Sequence, residues 1–333
     1  MQAELIYNPN AGRIDVRREL GLVIKYLERN GWTVVFHETR TPLEATALAR
    51  RAALEGADVV IAAGGDGTVN EVVSGLVNTH VALGVLPIGT TNVWALQMRI
   101  PTVNPIFMPS PRLAKFMFDL EERIEHVLPL SYYRSVLLDA ARVLVEGETC
   151  TVDVGQVNDR YFLMWAGIGL DAAVTENVAA EDKKNHGMWA VLGTALDTVR
   201  EYESTEVKLT LDGQVREINT PLIVASNIQL YGGLFPLSVR ACVNDGKLDV
   251  CIFKGEGLFT AMQYVFRIVS RQHLRDPEME YYQSEEIVVE SAQPLPVHVD
   301  DEPFTNTPVT IRVVPGALEA ILPKNAPSDL FVR

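Results

Sequence analysis

The run Ala63-Gly64-Gly65-Asp66-Gly67-Thr68-Val69-Asn70-Glu71 packs three glycines, two carboxylates, a hydroxyl and an amide into nine residues. A glycine-rich turn between a strand and a helix lets main-chain N–H groups approach an anion closely. The helix N-terminus adds the positive end of its dipole. Asp66 would repel a bare phosphate, so it calls for a metal ion or a substrate proton beside it. Thr68 is a candidate helix N-cap, and its hydroxyl could also meet a phosphate. Steric need alone could produce one such turn, but two others share its character. Asn8-Pro9-Asn10-Ala11-Gly12 offers amide side chains, small residues and backbone N–H groups. Leu86-Pro87-Ile88-Gly89-Thr90-Thr91-Asn92 is the third. None carries GK[ST] or reads GxGxxG. Each is weak alone; together they suggest a nucleoside triphosphate pocket.

The elements around these turns put them on one edge. Ala3–Tyr7 is a short apolar run that ends at Asn8-Pro9. Leu20, Val23, Ile24 and Leu27 recur at helical spacing. Thr33–Phe36 reads as a strand, Leu43–Leu54 as an alanine-rich helix, Asp58–Ala62 as a buried strand, Val69–Leu76 as a helix and Val81–Leu86 as a strand. This alternation implies a doubly wound parallel sheet, whose ligands sit at the carboxyl ends of the strands. After about Thr149 short strands take over: Thr151–Val154, Tyr161–Trp165, Val207–Leu211, Leu222–Ser226, Leu248–Phe253, Ile287–Glu290, Val297–Val299 and Val309–Val313. One helix, Leu258–Ile268, interrupts them. The expected fold is an α/β domain followed by a mostly antiparallel, β-sandwich-like domain. The expected boundaries are 1–148, with an inserted segment at about 104–138, then 149–315, then a segment 316–333 that packs back on the first domain.

The 333 residues suit two domains. There are 29 Lys and Arg against 43 Asp and Glu, a formal net charge of −14. That balance argues against nucleic acid as a partner and against attachment to anionic lipid by overall charge. Cys150, Cys242 and Cys251 form neither a disulfide framework nor a CxxC pair, as expected of reduced thiols in the cytoplasm. No signal peptide is legible at the N-terminus. The uncharged stretch from Val72 to Met98 is broken by Gly75, Asn78, Gly84, Pro87, Gly89 and Asn92, so it reads as buried strand and loop rather than a membrane span.

NPNAG, GGDGTVNEV and LGVLPIGTTN resemble the three nucleotide-binding signatures of the diacylglycerol kinase catalytic domain, a family of bacterial lipid kinases with sphingosine and ceramide kinases as relatives. Gly167-Ile168-Gly169-Leu170-Asp171-Ala172, Ser226-Asn227 with Tyr231-Gly232-Gly233, Asn244-Asp245-Gly246-Lys247-Leu248-Asp249-Val250, and Val297-His298-Val299-Asp300-Asp301-Glu302 follow in the family's order. The resemblance implies transfer of the γ-phosphoryl group of ATP to a lipid hydroxyl, with Mg2+. It implies nucleotide contacts from Asn8, Pro9, Asn10, Ala11, Gly12, Thr39, Gly64, Gly65, Asp66, Gly67, Thr68, Val69, Asn70 and Thr90. A structural Mg2+ would sit on Asp245 with the main-chain carbonyls of Cys242 and Lys247. Asp300 would be the base and Glu302 would support metal or nucleotide; the sphingosine-kinase branch assigns the base to the position of Asp66 instead. A plain turn is the simpler reading of Asn244-Asp245-Gly246, and a solvated acidic turn that of Asp300-Asp301-Glu302.

Three positions depart from the family's pattern. Val93 stands where an Asp is usual, Asp301 replaces the Gly of D-G-E, and Val239 takes the place of a Pro. Asp301 would be strained if that position needs positive φ, although Asp does visit the left-handed region. The expected activity is therefore an ATP-dependent lipid kinase, with two alternatives: a member that binds nucleotide or lipid but transfers phosphate poorly, and an NAD kinase-like enzyme. The segment 104–138 carries Leu113, Phe116, Met117, Leu120 and Ile124 at helical spacing, as a lipid-entry flap would, or an extra helix packed on the body or on a second copy in a homodimer. The expected partner is a lipid substrate at a membrane surface, met by a cytoplasmic protein.

Overall fold

The computed structural model describes residues 1–12, 14–102, 130–177, 198, 202–233, 235–255 and 257–332. They divide into two compact units. The first comprises Met1–Val152, Gly232–Leu234 and Ala317–Ser328; the second comprises Asp153–Tyr231, Phe235–Gly316 and Asp329–Arg333.

The first unit runs β1 (Gln2–Tyr7), α1 (Arg17–Arg29), β2 (Thr33–Glu38), α2 (Glu44–Leu54), β3 (Val59–Gly64), α3 (Asp66–Leu76), β4 (Ala82–Pro87), α4 (Val93–Gln97) and α5 (Leu130–Glu146). Its strands are parallel in the order β2-β1-β3-β4. Every residue of β3 and β4 is buried, the continuous apolar run of a strand covered on both faces. Leu20, Val23 and Leu27 give α1 one buried stripe. In α5 the stripe is Val136, Leu137, Ala140, Ala141 and Leu144. Gly84 makes room for it, since a Cβ there would lie 2.7 Å from Leu144 Cδ2. The chain's last strand returns here, with Glu319 and Ala320 paired parallel to Ala82 and Leu83.

The end of the expected insert is therefore helix: Leu130 to Leu138 belong to α5, which covers the sheet rather than forming a flap. The stripe Leu113 to Ile124 lies outside the described residues.

The second unit contains β6 (Arg160–Phe162), β7 (Trp165–Gly169), α6 (Leu170–Asn177), β8 (Thr205–Leu211), β9 (Gln214–Thr220), β10 (Leu222–Ser226), β11 (Leu230–Tyr231), β12 (Phe235–Pro236), β13 (Leu248–Phe253), α7 (Gly257–Val269), β14 (Met279–Ser284), β15 (Glu286–Ser291), β16 (Pro296–Val299) and β17 (Glu302–Asn306), with the second half of β5 (Glu148–Val157) and the first part of β18 (Val309–Leu322), two strands that run on into the first unit. One antiparallel sheet has the order β14-β13-β10-β7-β16-β17. In the other, β18, β15, β8 and β9 pair in turn, antiparallel. Alternation builds the core between them. Val207, Leu209 and Leu211 of β8 are buried while Glu206, Lys208 and Thr210 are not. They join Ile287, Val289 and Ile311 of their own sheet, and Ile168, Ile223, Val250, Ile252 and Val297 of the other.

Several expected strands have different limits, and Thr151–Val154 is the middle of the ten-residue β5. Tyr161–Trp165 is broken at Leu163 and Met164, because the N–H groups of Leu163, Met164 and Trp165 turn to the Asp300 carboxylate instead of a neighbouring strand. Val309–Val313 is the start of a fourteen-residue strand that passes through Pro315 and Gly316. Among the described residues, no helix is long and apolar enough to cross a membrane.

Candidate functional site

In the first unit the strand order reverses direction between β1 and β3, the switch point at which open α/β sheets hold ligands. The structure brings the three turns together at this point. The Asn8 N–H donates to the Ala63 carbonyl (3.0 Å), and Asn8 Nδ2 donates to Thr68 Oγ1 (3.0 Å). The Asn8 side chain also accepts from the Asn10 N–H (2.9 Å), which closes the turn. Gly12 has φ +73°, and a Cβ there would collide with the Ile88 carbonyl oxygen. A Cβ on Gly89 would lie 2.5 Å from the Gly65 Cα. Ile88 and Gly89 both donate to the Gly64 carbonyl (3.1 and 3.3 Å). Thr39 closes the end of β2, its N–H on the Tyr7 carbonyl (2.9 Å).

Thr68 is not the N-cap. Gly65 holds that position without a side-chain bond, and Thr68 lies inside the first turn. A Ser or Thr cap accepts an N–H with its hydroxyl, and this hydroxyl is already engaged by Asn8. Uncapped main-chain donors at the start of an eleven-residue helix, bordered by glycines, fit a phosphate chain. Asn70 adds a buried Oδ1 with no partner among the described residues. Thr90 is exposed, whereas Val69 is buried and its N–H is spent on the Gly65 carbonyl.

Asp66 has a task of its own. Its carboxylate accepts the N–H groups of Val93 (3.0 Å) and Trp94 (3.3 Å), and so caps α4. Burial raises its pKa against these donors. Val93, the first departure, is fully buried at the start of that helix, beside Gly233. Its N–H holds Asp66, while its side chain puts apolar bulk where the family's pattern has a carboxylate.

In the second unit Asp300 and Asp301 form a left-handed turn, φ +46° and +64°. The position of Asp301 does need positive φ, which explains why glycine suits it. Asp300 is 2% exposed. Its Oδ1 accepts from Met164 and Trp165 (both 3.0 Å), and its Oδ2 from Leu163 (2.9 Å). Burial pushes its pKa up to about 7 in spite of the three donors, and Asp301 adds to the rise. Glu302 begins β17 with its side chain 48% exposed and paired with Arg160. The Arg160 guanidinium lies over the Phe304 ring, 5.3 Å from its centre.

At the turn Asn244-Asp245-Gly246, Asp245 accepts from the Lys247 N–H (3.0 Å). Asp153 fixes the turn, accepting from Gly246 and Gly316 (2.7 Å each). Burial raises the Asp245 pKa and the Asp153 charge adds to it, so a cation there would relieve repulsion between oxygen donors of the kind Mg2+ takes. Among the described residues no three His, Cys, Asp or Glu side chains are grouped to hold a metal. Main-chain oxygens would have to complete the shell. Cys150 and Cys242 are half-buried and Cys251 is buried, all free thiols.

Residues 2–110 match the family model for the diacylglycerol kinase catalytic domain, and residues 165–322 that for the YegS C-terminal NAD kinase beta sandwich-like domain. The chain belongs to the diacylglycerol kinase catalytic-domain family. It is 29% identical to a diacylglycerol kinase of Bacillus subtilis, over 90% of this chain and 89% of that one. It is 25% identical to a diacylglycerol kinase of Staphylococcus carnosus, over 100% of this chain and 98% of the other. A crystal structure of a diacylglycerol kinase from Bacillus anthracis superposes with a TM-score of 0.72 at 25% identity, covering 97% of each chain.

Within this family fold, one buried pair was missed by motif reasoning. His298, wholly buried on β16, meets the carboxylate of Asp171 on α6. Gly167 lies opposite His298 on β7, and a Cβ there would strike both groups. Burial alone would raise the Asp171 pKa, but His298 holds it below the usual range; Asp171 in turn raises His298 against burial. Tyr231 bonds to the same carboxylate, and its ring packs on Trp165 (centres 5.2 Å apart). The signal in the sequence was Gly167, whose lack of a side chain leaves room for the imidazole.

Proposed function

We propose that this protein is an ATP-dependent lipid kinase that transfers the γ-phosphoryl group to a lipid hydroxyl, with diacylglycerol the first acceptor to test. The observation that carries this reading is the meeting of the Asn8, Gly64 and Gly89 turns at the switch point of the first unit, in a chain of this family. The main-chain donors at the start of α3 and the Asn8 turn would hold the phosphates. Asp66 fixes the α4 end of that edge. Asp245 would hold a structural Mg2+, and Mg2+ carried by the nucleotide would supply charge neutralisation; transfer itself rests on positioning and charge. The acceptor oxygen bonds to the γ-phosphorus as the bond to the β-bridging oxygen breaks. ADP leaves, and the hydroxyl proton passes to a carboxylate and then to solvent.

Three of the four lone-pair sites of Asp300 are occupied by N–H donors, which leaves one on Oδ2. Glu302 keeps accessible oxygens. We therefore assign the proton-accepting role to Glu302 and the shaping of its turn to Asp300. The protein would act in the cytoplasm at a membrane surface.

The purified protein, labelled ATP, Mg2+ and a panel of diacylglycerol, sphingosine, ceramide and NAD test the reading. A labelled lipid product is expected. Label in NAD and in no lipid would overturn it, and so would label in none. Gly89→Ala should weaken nucleotide binding by about tenfold or more, since the new methyl would push the Gly65 turn away. Titration with a non-hydrolysable ATP analogue reads this, and an unchanged Kd would show that the two turns do not act together.

A further inference from the structure

We propose that the outer face of α7 is the surface on which this protein docks to an anionic lipid bilayer; the proposal rests on the lipid-kinase reading. The helix Gly257–Val269 is apolar on two sides. Tyr264 and Ile268 face inward, each 8% exposed. The Tyr264 hydroxyl donates to the Lys254 carbonyl (2.7 Å), and its ring meets Phe253 edge-on, 4.8 Å between centres. These contacts fix the rotation of the helix. Met262, Phe266 and Val269 then point to solvent, 61%, 69% and 54% exposed. Their spacing of four and three residues makes one continuous stripe along about two turns.

A stripe of large apolar side chains facing water is unfavourable unless something covers it. Charge says what. Between Gly257 and Pro277 the chain carries Arg267, Arg271 and Arg275 against Asp276 alone, in a protein of net charge −14. Arg267 is paired with Asp276. Arg271 and Arg275 are exposed and form no ion pair among the described residues. Elsewhere around the helix, Lys254 is paired with Glu280, His273 is buried on the Leu237 carbonyl, and Glu278 is an exposed carboxylate. An apolar stripe with arginines beyond its C-terminal end is the pattern of a helix lying in the interface of an anionic membrane. The overall acidity, which opposes attachment by charge, is lifted here: residues 254–280 carry as many cations as carboxylates, and the two exposed arginines lie together past the end of the helix.

The test is co-sedimentation of the full chain with vesicles of phosphatidylglycerol and phosphatidylethanolamine, against vesicles of phosphatidylcholine. Met262→Glu with Phe266→Glu, and separately Arg271→Glu with Arg275→Glu, are compared with wild type, with thermal melting to verify folding. Wild type should bind the anionic vesicles, and each double variant should lose at least about tenfold in partitioning. Turnover on a short-chain, monomeric diacylglycerol should stay unchanged, since α7 holds none of the proposed site residues. Unaltered binding by folded variants would overturn the proposal, as would failure of the wild type to bind. A wild-type dimer that Met262→Glu with Phe266→Glu dissociates, with vesicle binding intact, would overturn it in favour of a second copy on this face. Vesicle binding lost in the variants, without lipid phosphorylation by any form of the protein, would uphold docking and reject only the kinase reading.

Discussion

Glu302→Gln is expected to lower turnover by about 10²- to 10⁴-fold, the usual loss for a general base, and to leave thermal stability close to wild type. The two halves of that expectation have separate physical grounds. The Glu302 side chain is 48% exposed, and its ion pair with Arg160 lies in partly solvated surroundings where such pairs contribute about 0–1 kcal/mol. Glutamine keeps the size and one acceptor oxygen but cannot take a proton. Steady-state kinetics with ATP and diacylglycerol, beside a thermal melt, read both halves. Arg160→Gln is the control: it frees the carboxylate without removing it, so turnover should fall much less. Full activity in Glu302→Gln, with activity lost in a folded Asp300→Asn protein, would move the proton-accepting role to Asp300.

The layout of the first unit was legible because each of its signals is local. β3 and β4 are unbroken apolar runs, and the glycine turns directly follow them. Parallel pairing then forces those turns to one edge, whichever residues lie between. What the sequence could not display was how the turns are tied. The Asn8 amide on Thr68, and Asp66 on Val93 and Trp94, join residues 60, 27 and 28 positions apart. A Thr at a helix start looks like a cap until an amide from another loop takes its hydroxyl.

The second unit was less legible for the same reason at greater range. The break at Leu163 is caused by a carboxylate 137 residues away. Pro315 and Gly316 look like a stop, yet β18 passes through them. Gly316 takes φ +59° there and donates its N–H to Asp153. The buried pair of Asp171 and His298 joins a helix to a strand 127 residues on. The Asp300-Asp301-Glu302 motif stands out in the sequence, but the difference between its carboxylates is visible only through burial. Its first residue is turned inward and bonded to main chain, and its third is turned outward.

Asp300→Ala is accordingly expected to be a stability mutation before it is an activity mutation. It leaves the N–H groups of Leu163, Met164 and Trp165 without their acceptor in a buried turn. At about 1–3 kcal/mol for each unsatisfied buried group, with some relief from entering water, the loss should be about 3–5 kcal/mol. Asp300→Asn should cost less, because the amide oxygen can still serve two of the donors while its NH2 opposes the third. The loss should also depend on pH. Burial holds the folded carboxyl at about 7, above the value near 4 expected in the unfolded chain. The folded state thus takes up a proton as pH falls through 7, and the unfolded state only near 4. Asp300 therefore adds stability as pH falls from 7 to 4 and withdraws it as pH rises again, by up to about 4 kcal/mol across that window. Denaturant unfolding at pH 5 and pH 8 measures it: the gap between wild type and Asp300→Ala should narrow at the higher pH. A gap that widens instead would mean that the three N–H donors, rather than burial, govern the ionisation of Asp300. The carboxylate would then be charged throughout, fastening the turn that presents Glu302.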